Sequence, residues 1–314
     1  MSAQSSAIVP QPRLLSALPA GLGWGLLGVA AFSFTVPLTR VAVGDLSPLL
    51  VGAGRAVVAA ALAGVALAAT RQALPRGGQW ARLAVVAGGV VAGFPLLTTY
   101  ALTQVPASHA AVVIALLPAA TAVLAVLRTG ERPGRAFWAF SGLGAVAAVG
   151  FAVAQGGGLG DLHRADLLLF AAVLACATGY AEGGVLTREL GSWQTISWAL
   201  VVAAPVMLAL AVVSLVRTPP PGPASAPTAW ACFAYLAAVS MFLGFFAWYR
   251  GLALGPMAQV SQVQLAQPVL TIAWAALLLG EQVTAATVVG GLAVVLLAGS
   301  ATTSRARRGR ARPS

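Results

Sequence analysis

Apolar runs of roughly 20 residues recur along the chain, parted by short breaks rich in arginine, proline and glycine. A helix rises 1.5 Å per residue, so a run of about 20 residues matches the ~30 Å of hydrocarbon in a bilayer. The pattern predicts ten spans, over 20–43, 47–69, 80–103, 106–127, 136–154, 166–187, 194–216, 229–250, 257–279 and 283–303. The breaks carry turn chemistry: Gly44-Asp45, Pro75 to Gly78, Pro133-Gly134, Gly156 to Gly158, Gly191-Ser192 and Pro219 to Pro223. Residues 1–18 are polar and without periodicity, as in a disordered tail. The expected fold is an all-α membrane protein of ten transmembrane helices.

One stretch occurs twice. Residues 106–144 and 256–294 superimpose without a gap at an offset of 150: Pro106 falls on Pro256, Pro118 on Pro268, Thr121 on Thr271, and Gly130-Glu131 on Gly280-Glu281. Matched Ala and Leu mean little here, but the chain has only 7 acidic residues, so a Glu in register with two prolines and a glycine indicates an internal duplication. Two copies of five helices each must be inverted, because an odd number of crossings turns the second copy over. Inverted repeats in a membrane are a transporter architecture, in which two halves rock about a site at mid-depth.

Composition strengthens the membrane reading and charge sets its orientation. The chain is 59% hydrophobic and 8% charged, whereas about a quarter of residues are charged in soluble domains. All 18 basic residues are Arg. With the N-terminus cytoplasmic, the inner segments hold Arg13, Arg71, Arg76, Arg82, Arg128, Arg132, Arg135, Arg188, Arg250 and the tail Arg305, Arg307, Arg308, Arg310 and Arg312. The outer segments hold Arg40, Arg164 and Arg217. This bias places both termini inside. A net charge of +11 concentrated in such loops and tail points to topology and anionic lipid rather than a nucleic-acid partner. Cys176 and Cys232 fall in apolar runs and read as small buried residues.

Each half ends in an apolar helix with a central proline, then Leu-x-x-Gly-Glu and a last helix rich in small residues: Pro118 with Leu127 to Glu131, and Pro268 with Leu277 to Glu281. Together with Thr39-Arg40 and Arg55, these features resemble EamA-type members of the drug/metabolite transporter superfamily. The resemblance covers residues 20–303 and divides the chain into a cytoplasmic tail (1–18), a first EamA-like five-helix repeat (19–154), an external linker (155–165), a second repeat (166–303) and an Arg-rich cytoplasmic tail (304–314). It implies a secondary transporter in the cytoplasmic membrane, without cofactors, that exports a small metabolite such as an amino acid. Trp198 stands about where Arg55 would recur, so the second half does not repeat that arginine.

Several residues carry candidate chemistry. Pro118 and Pro268 sit mid-helix, where each frees a carbonyl and kinks the helix. Gln264, Gln267 and Thr271 lie within a 60° stripe of the ninth span at 100° per residue, so they face the bundle together and are assigned to the substrate cavity. Amides donate and accept, which suits a zwitterionic or polar uncharged solute. Tyr100 and Trp248 are assigned to the cavity wall, with the interfacial aromatic belt as the alternative. Glu182, an intramembrane acid, and His109, whose imidazole can donate or accept a proton, are candidates for coupling or gating, with protons as the candidate ion. Arg55 lies eight or nine residues inside its span and fits gating or a fold role; Asp45, the acid nearest in sequence, is almost three turns away. Gly130, Glu131, Gly280 and Glu281 read as structural, each Glu accepting backbone donors from the next helix start.

Competing functions are a drug or other-metabolite permease of the same fold, an intramembrane enzyme and a non-transporting scaffold. An enzyme would need clustered acids, histidines or serines, and the sequence, with 2 His, gathers no such cluster. No phosphate-binding G-x-x-x-x-G-K-[ST] loop is present. Monomer and homodimer fit the sequence equally.

Overall fold

A computed structural model describes residues 14–129, 135–156, 164–254 and 261–308. The described residues are helices and their connections, with no strand among them. The elements are α1 (Gly21–Asp45), α2 (Leu50–Ala69), α3 (Gln79–Ala101), α4 (Ala107–Ile114), α5 (Leu117–Thr129), α6 (Arg135–Gly156), α7 (Arg164–Leu190), α8 (Ser192–Arg217), α9 (Pro227–Leu254), α10 (Ala266–Leu279) and α11 (Ala285–Arg308). Among the described residues, seven helices are long and apolar enough to cross a membrane, counting α4 and α5 as one rod over Ala107–Ala125. Val263–Leu279 and Ala285–Leu297 are shorter apolar helices. Val65, Val216 and Leu277 are more than 70% exposed on the outside of the bundle. A helix bundle with that exterior is built for hydrocarbon, where the intrahelical ladder satisfies every backbone group.

The duplicated sequence folds into duplicated breaks. Before Pro118 the helix stops at Ile114 and restarts at Leu117; before Pro268 a short 3₁₀ turn, Ser261–Leu265, hands over to α10 at Ala266. A proline near the start of a helix costs no hydrogen bond, since its missing N–H is one the first turn leaves free. The two prolines thus restart helices rather than bend them. Wide π-helical turns recur in the same way, at Ala87–Gly93 in α3 and Leu236–Leu243 in α9, 150 residues apart to within one residue. A third, Leu50–Gly54, opens α2 immediately before Arg55.

Helix neighbours follow the same offset. α1 packs on α9 and α3 on α7, pairs that exchange under a shift of 150, while α2 packs on α8 and α6 on α11, pairs that map onto themselves. Glycine allows the first two crossings. A Cβ on Gly89 would lie 2.2 Å from the Ala175 carbonyl oxygen, and one on Gly251 would lie 2.7 Å from the Gly25 nitrogen. Only a hydrogen side chain permits backbones to approach this closely.

Gly280 closes α10 with φ 64°, a left-handed turn suited to glycine. It aims the next residue across the bundle. The Glu281 carboxylate accepts hydrogen bonds from the backbone N–H groups of Ala107 (2.8 Å) and Ser108 (2.9 Å). Glu281 therefore caps α4, in the other half, and not the helix that follows it; the sequence could not reveal a partner 174 residues away. Glu281→Gln keeps one acceptor and loses the charge at a helix N-terminus, so we expect about 1–2 kcal/mol of destabilisation, measured as a lower midpoint of thermal unfolding in detergent. Glu131 and Gly130 lie outside the described residues.

Candidate functional site

The three wide turns and the two restarted helices converge on one cavity at mid-depth. A turn with one extra residue displaces the residues around it from the regular helical stripe, a feature common at functional sites. Val90 comes from the wide turn of α3, Ser240 and Met241 from that of α9, Arg55 from just past that of α2, and Leu117 and Gln267 from the two restarts. Thr35, Cys176 and Tyr180 complete its polar lining, and Phe32, Phe94 and Phe245 its aromatic wall. The empty space among these residues is about 420 Å³, part of it open to solvent.

Polar groups in this lining are few and two of them pair. The hydroxyls of Thr35 and Ser240 are 2.7 Å apart, joining α1 to α9. Arg55 is 1% exposed, and its Nε and Nη1 have no hydrogen-bond partner. Gln267 is buried against the cavity. Gln264, one turn before it, is 2% exposed, and neither atom of its amide has a hydrogen-bond partner. Buried amides almost always find partners, so both orphans mark a place where something else is expected. Phe32 and Phe245 lie 4.8 Å apart between ring centroids, with Tyr180 6.1 Å from Phe245.

The family comparisons point the same way. The model of the EamA-like transporter family matches the chain twice, over residues 19–153 and 163–302. The chain belongs to that family. Among its relatives is the uncharacterized transporter YdeK of Bacillus subtilis (strain 168), 46% identical over 281 residues that span 89% of this chain and 96% of YdeK. A solved crystal structure at 20% identity, covering 92% of this chain and 99% of its own, superimposes with a TM-score of 0.62 and shows a shared fold. This EamA-like protein is a multi-pass membrane transporter and not an enzyme; a small-molecule solute and the lipid bilayer are its partners.

Around the cavity of this EamA-like transporter the remaining candidates sort by depth. Thr271 is buried but its hydroxyl donates to the Ser33 carbonyl at 3.0 Å, and Trp274 Nε1 donates to the Ser33 hydroxyl at 3.0 Å. Both tie α10 to α1 at the Ser33-Phe34 bend, where Phe34 stacks on Trp274 at 4.5 Å. Trp248 is 1% exposed and stands behind the lining, its ring 5.9 Å from that of Tyr180. Tyr100 is 42% exposed and does not line the cavity.

Ion pairs between the two halves of the sequence lie at both ends. At one end, the Glu182 carboxylate accepts from Arg82 and from Arg128, the latter at 2.7 Å, and Arg82 also reaches Glu189. Gln79 donates to the same Glu189 at 3.2 Å. At the opposite end, His109 Nε2 lies 2.6 Å from Asp166 Oδ1, beside the Glu281 cap, and Arg40 donates to the Leu102 carbonyl at 2.7 Å. Sequence reasoning singled out Glu182 and His109 but not their partners Arg82, Arg128 and Asp166. One signal was present: Arg128 stands where the repeat has Leu278, a basic residue kept in one half only.

Proposed function

We propose that this chain is a secondary transporter that exports a small metabolite, an amino acid or related compound, across the cytoplasmic membrane by alternating access. In this reading two inverted five-helix halves make ten crossings, both termini are cytoplasmic, and the Arg82 end faces the cytoplasm. The observation that carries it is the mid-depth cavity between two sets of contacts that join first-half to second-half residues, Arg82 and Arg128 with Glu182 at one end and His109 with Asp166 at the other. Rocking the halves separates one set at a time and exposes the cavity to one side at a time. Glu182 and His109 then act as gate residues, Gln267 and Arg55 as cavity residues, and Pro118 and Pro268 as the points where the helices part. The helix pairings that repeat at the 150-residue offset support the inverted halves.

Counterflow in proteoliposomes with a pool of labelled amino acids, run with and without a pH gradient, tests this reading. Uptake of one class of amino acid is the expected result, and its response to the gradient decides whether protons are coupled. The aromatic wall favours solutes with an apolar body, so a permease for drugs or other metabolites is the reading that gains if no amino acid exchanges.

A further inference from the structure

Among the described residues, the cavity holds a positive charge with no counter-charge. Among the described acids, Asp166 is bound to His109, Glu182 to Arg82 and Arg128, Glu189 to Arg82, and Glu281 to the start of α4. Asp45 is exposed at the end of α1. No ion pair to Arg55 occurs among the described residues, and no hydrogen bond reaches its Nε or Nη1. A guanidinium does not deprotonate to escape burial, and holding one out of water unpaired costs several kcal/mol. A site bearing that cost is matched to an anion that comes and goes.

We propose that Arg55 receives the carboxylate of a small monocarboxylate solute whose apolar or aromatic body lies against Phe32, Phe94 and Phe245. This inference rests on the transporter reading above and names its substrate class. The planar fork of arginine fits a carboxylate through two parallel hydrogen bonds. Among the described residues the lining carries one cation, Arg55, so a single negative charge balances it and a phosphate dianion does not. Gln267 and the Thr35–Ser240 pair offer neutral donors and acceptors to orient the rest of the solute. Sequence reasoning favoured a zwitterionic or uncharged solute from the glutamines alone; Arg55 in the same cavity adds the anionic group.

The test compares matched acids and amides on the purified full-length chain: 3-phenylpropionate, phenylpyruvate and L-phenylalanine against 3-phenylpropionamide and L-phenylalaninamide. The midpoint of thermal unfolding in detergent is read against ligand concentration. The carboxylates raise it and the amides do not. Arg55→Gln weakens the carboxylate response by about 10- to 100-fold and Arg55→Lys by about tenfold, the range for losing one or both hydrogen bonds to a charged group. The proposal is overturned if amides act as well as acids, if Arg55→Gln responds to the acids like the parent, or if no acid in the set raises the midpoint. Should Arg55→Gln not fold, Arg55→Lys and the acid-amide comparison on the unaltered chain decide. Counterflow of the same acids separates the two readings. Binding through Arg55 without exchange sinks transport and leaves this inference standing; exchange that ignores Arg55 does the reverse.

Discussion

Replacing Glu182 by Gln opens the cavity at the Arg82 end. Glu182 is the shared acceptor for Arg82 and Arg128, its side chain 9% exposed, so one substitution weakens two ion pairs between α7 and the first half at that end and leaves only the exposed Glu189 contacts with Arg82 and Gln79. The His109–Asp166 pair and the Glu281 cap at the other end are untouched. The balance between the two facing states therefore shifts toward the one open at the Arg82 end, by about tenfold to thirtyfold, the range for removing one partner of a part-buried ion pair. Cys176 lines the cavity and serves as the reporter, with Cys232 replaced by Ser. An impermeant thiol reagent supplied from the Arg82 side modifies Cys176 faster in Glu182→Gln, while reagent from the His109 side modifies it more slowly. Arg128→Gln, which touches only the pair with Glu182, gives a smaller shift in the same direction, and adding it to Glu182→Gln gives little more. Rates equal to the parent's from both sides remove Glu182 from the gate. A pH dependence of transport that flattens in Glu182→Gln, with modification rates unchanged, assigns Glu182 to proton carriage instead.

The double substitution Gln264→Leu with Gln267→Leu inserts normally and nearly abolishes transport, with flux down by about 30- to 150-fold if two hydrogen bonds to the solute are lost at about 1–1.5 kcal/mol each. Insertion survives because the Gln264 amide has no partner to lose, and leucine fills a comparable volume without an unsatisfied polar group. Gln264→Leu alone then leaves the thermal midpoint unchanged or higher. Gln267→Leu alone carries the larger loss of flux, since Gln267 lines the cavity. Counterflow and the unfolding midpoint measured on the three variants check both statements. Unchanged flux in the double variant removes both glutamines from the binding site, and a lower midpoint for Gln264→Leu shows that its amide holds the fold.

What the sequence shows and hides follows from the range of each signal. Hydropathy is local, so the helices can be read from runs of 20 residues, and family membership follows from the paired proline and Gly-Glu motifs. The stripe of Gln264, Gln267 and Thr271 is a property of one helix, and it was legible. Its use was not: Thr271 is tied to Ser33, whereas Gln267, one turn earlier on the same helix, meets the cavity, a division set by what packs against each turn. Tyr100 and Trp248 looked alike as aromatic residues near span ends, yet one is exposed and the other is buried at a close helix crossing, its backbone against Gly28.

By itself the sequence determined that this chain is a helical membrane protein of the EamA-like family and which helices its duplicated prolines interrupt. These are matters of composition, period and repeat, carried by residues close together in the chain. Only the tertiary structure decided that Arg55 faces the aromatic cavity wall without a counter-ion among the described residues, that Glu182 is shared by Arg82 and Arg128, and that Glu281 caps the start of α4. Each of these depends on charges and donors 50 to 200 residues apart meeting within a few ångströms, a geometry set by glycine-lined crossings and wide helical turns that leave no periodic trace.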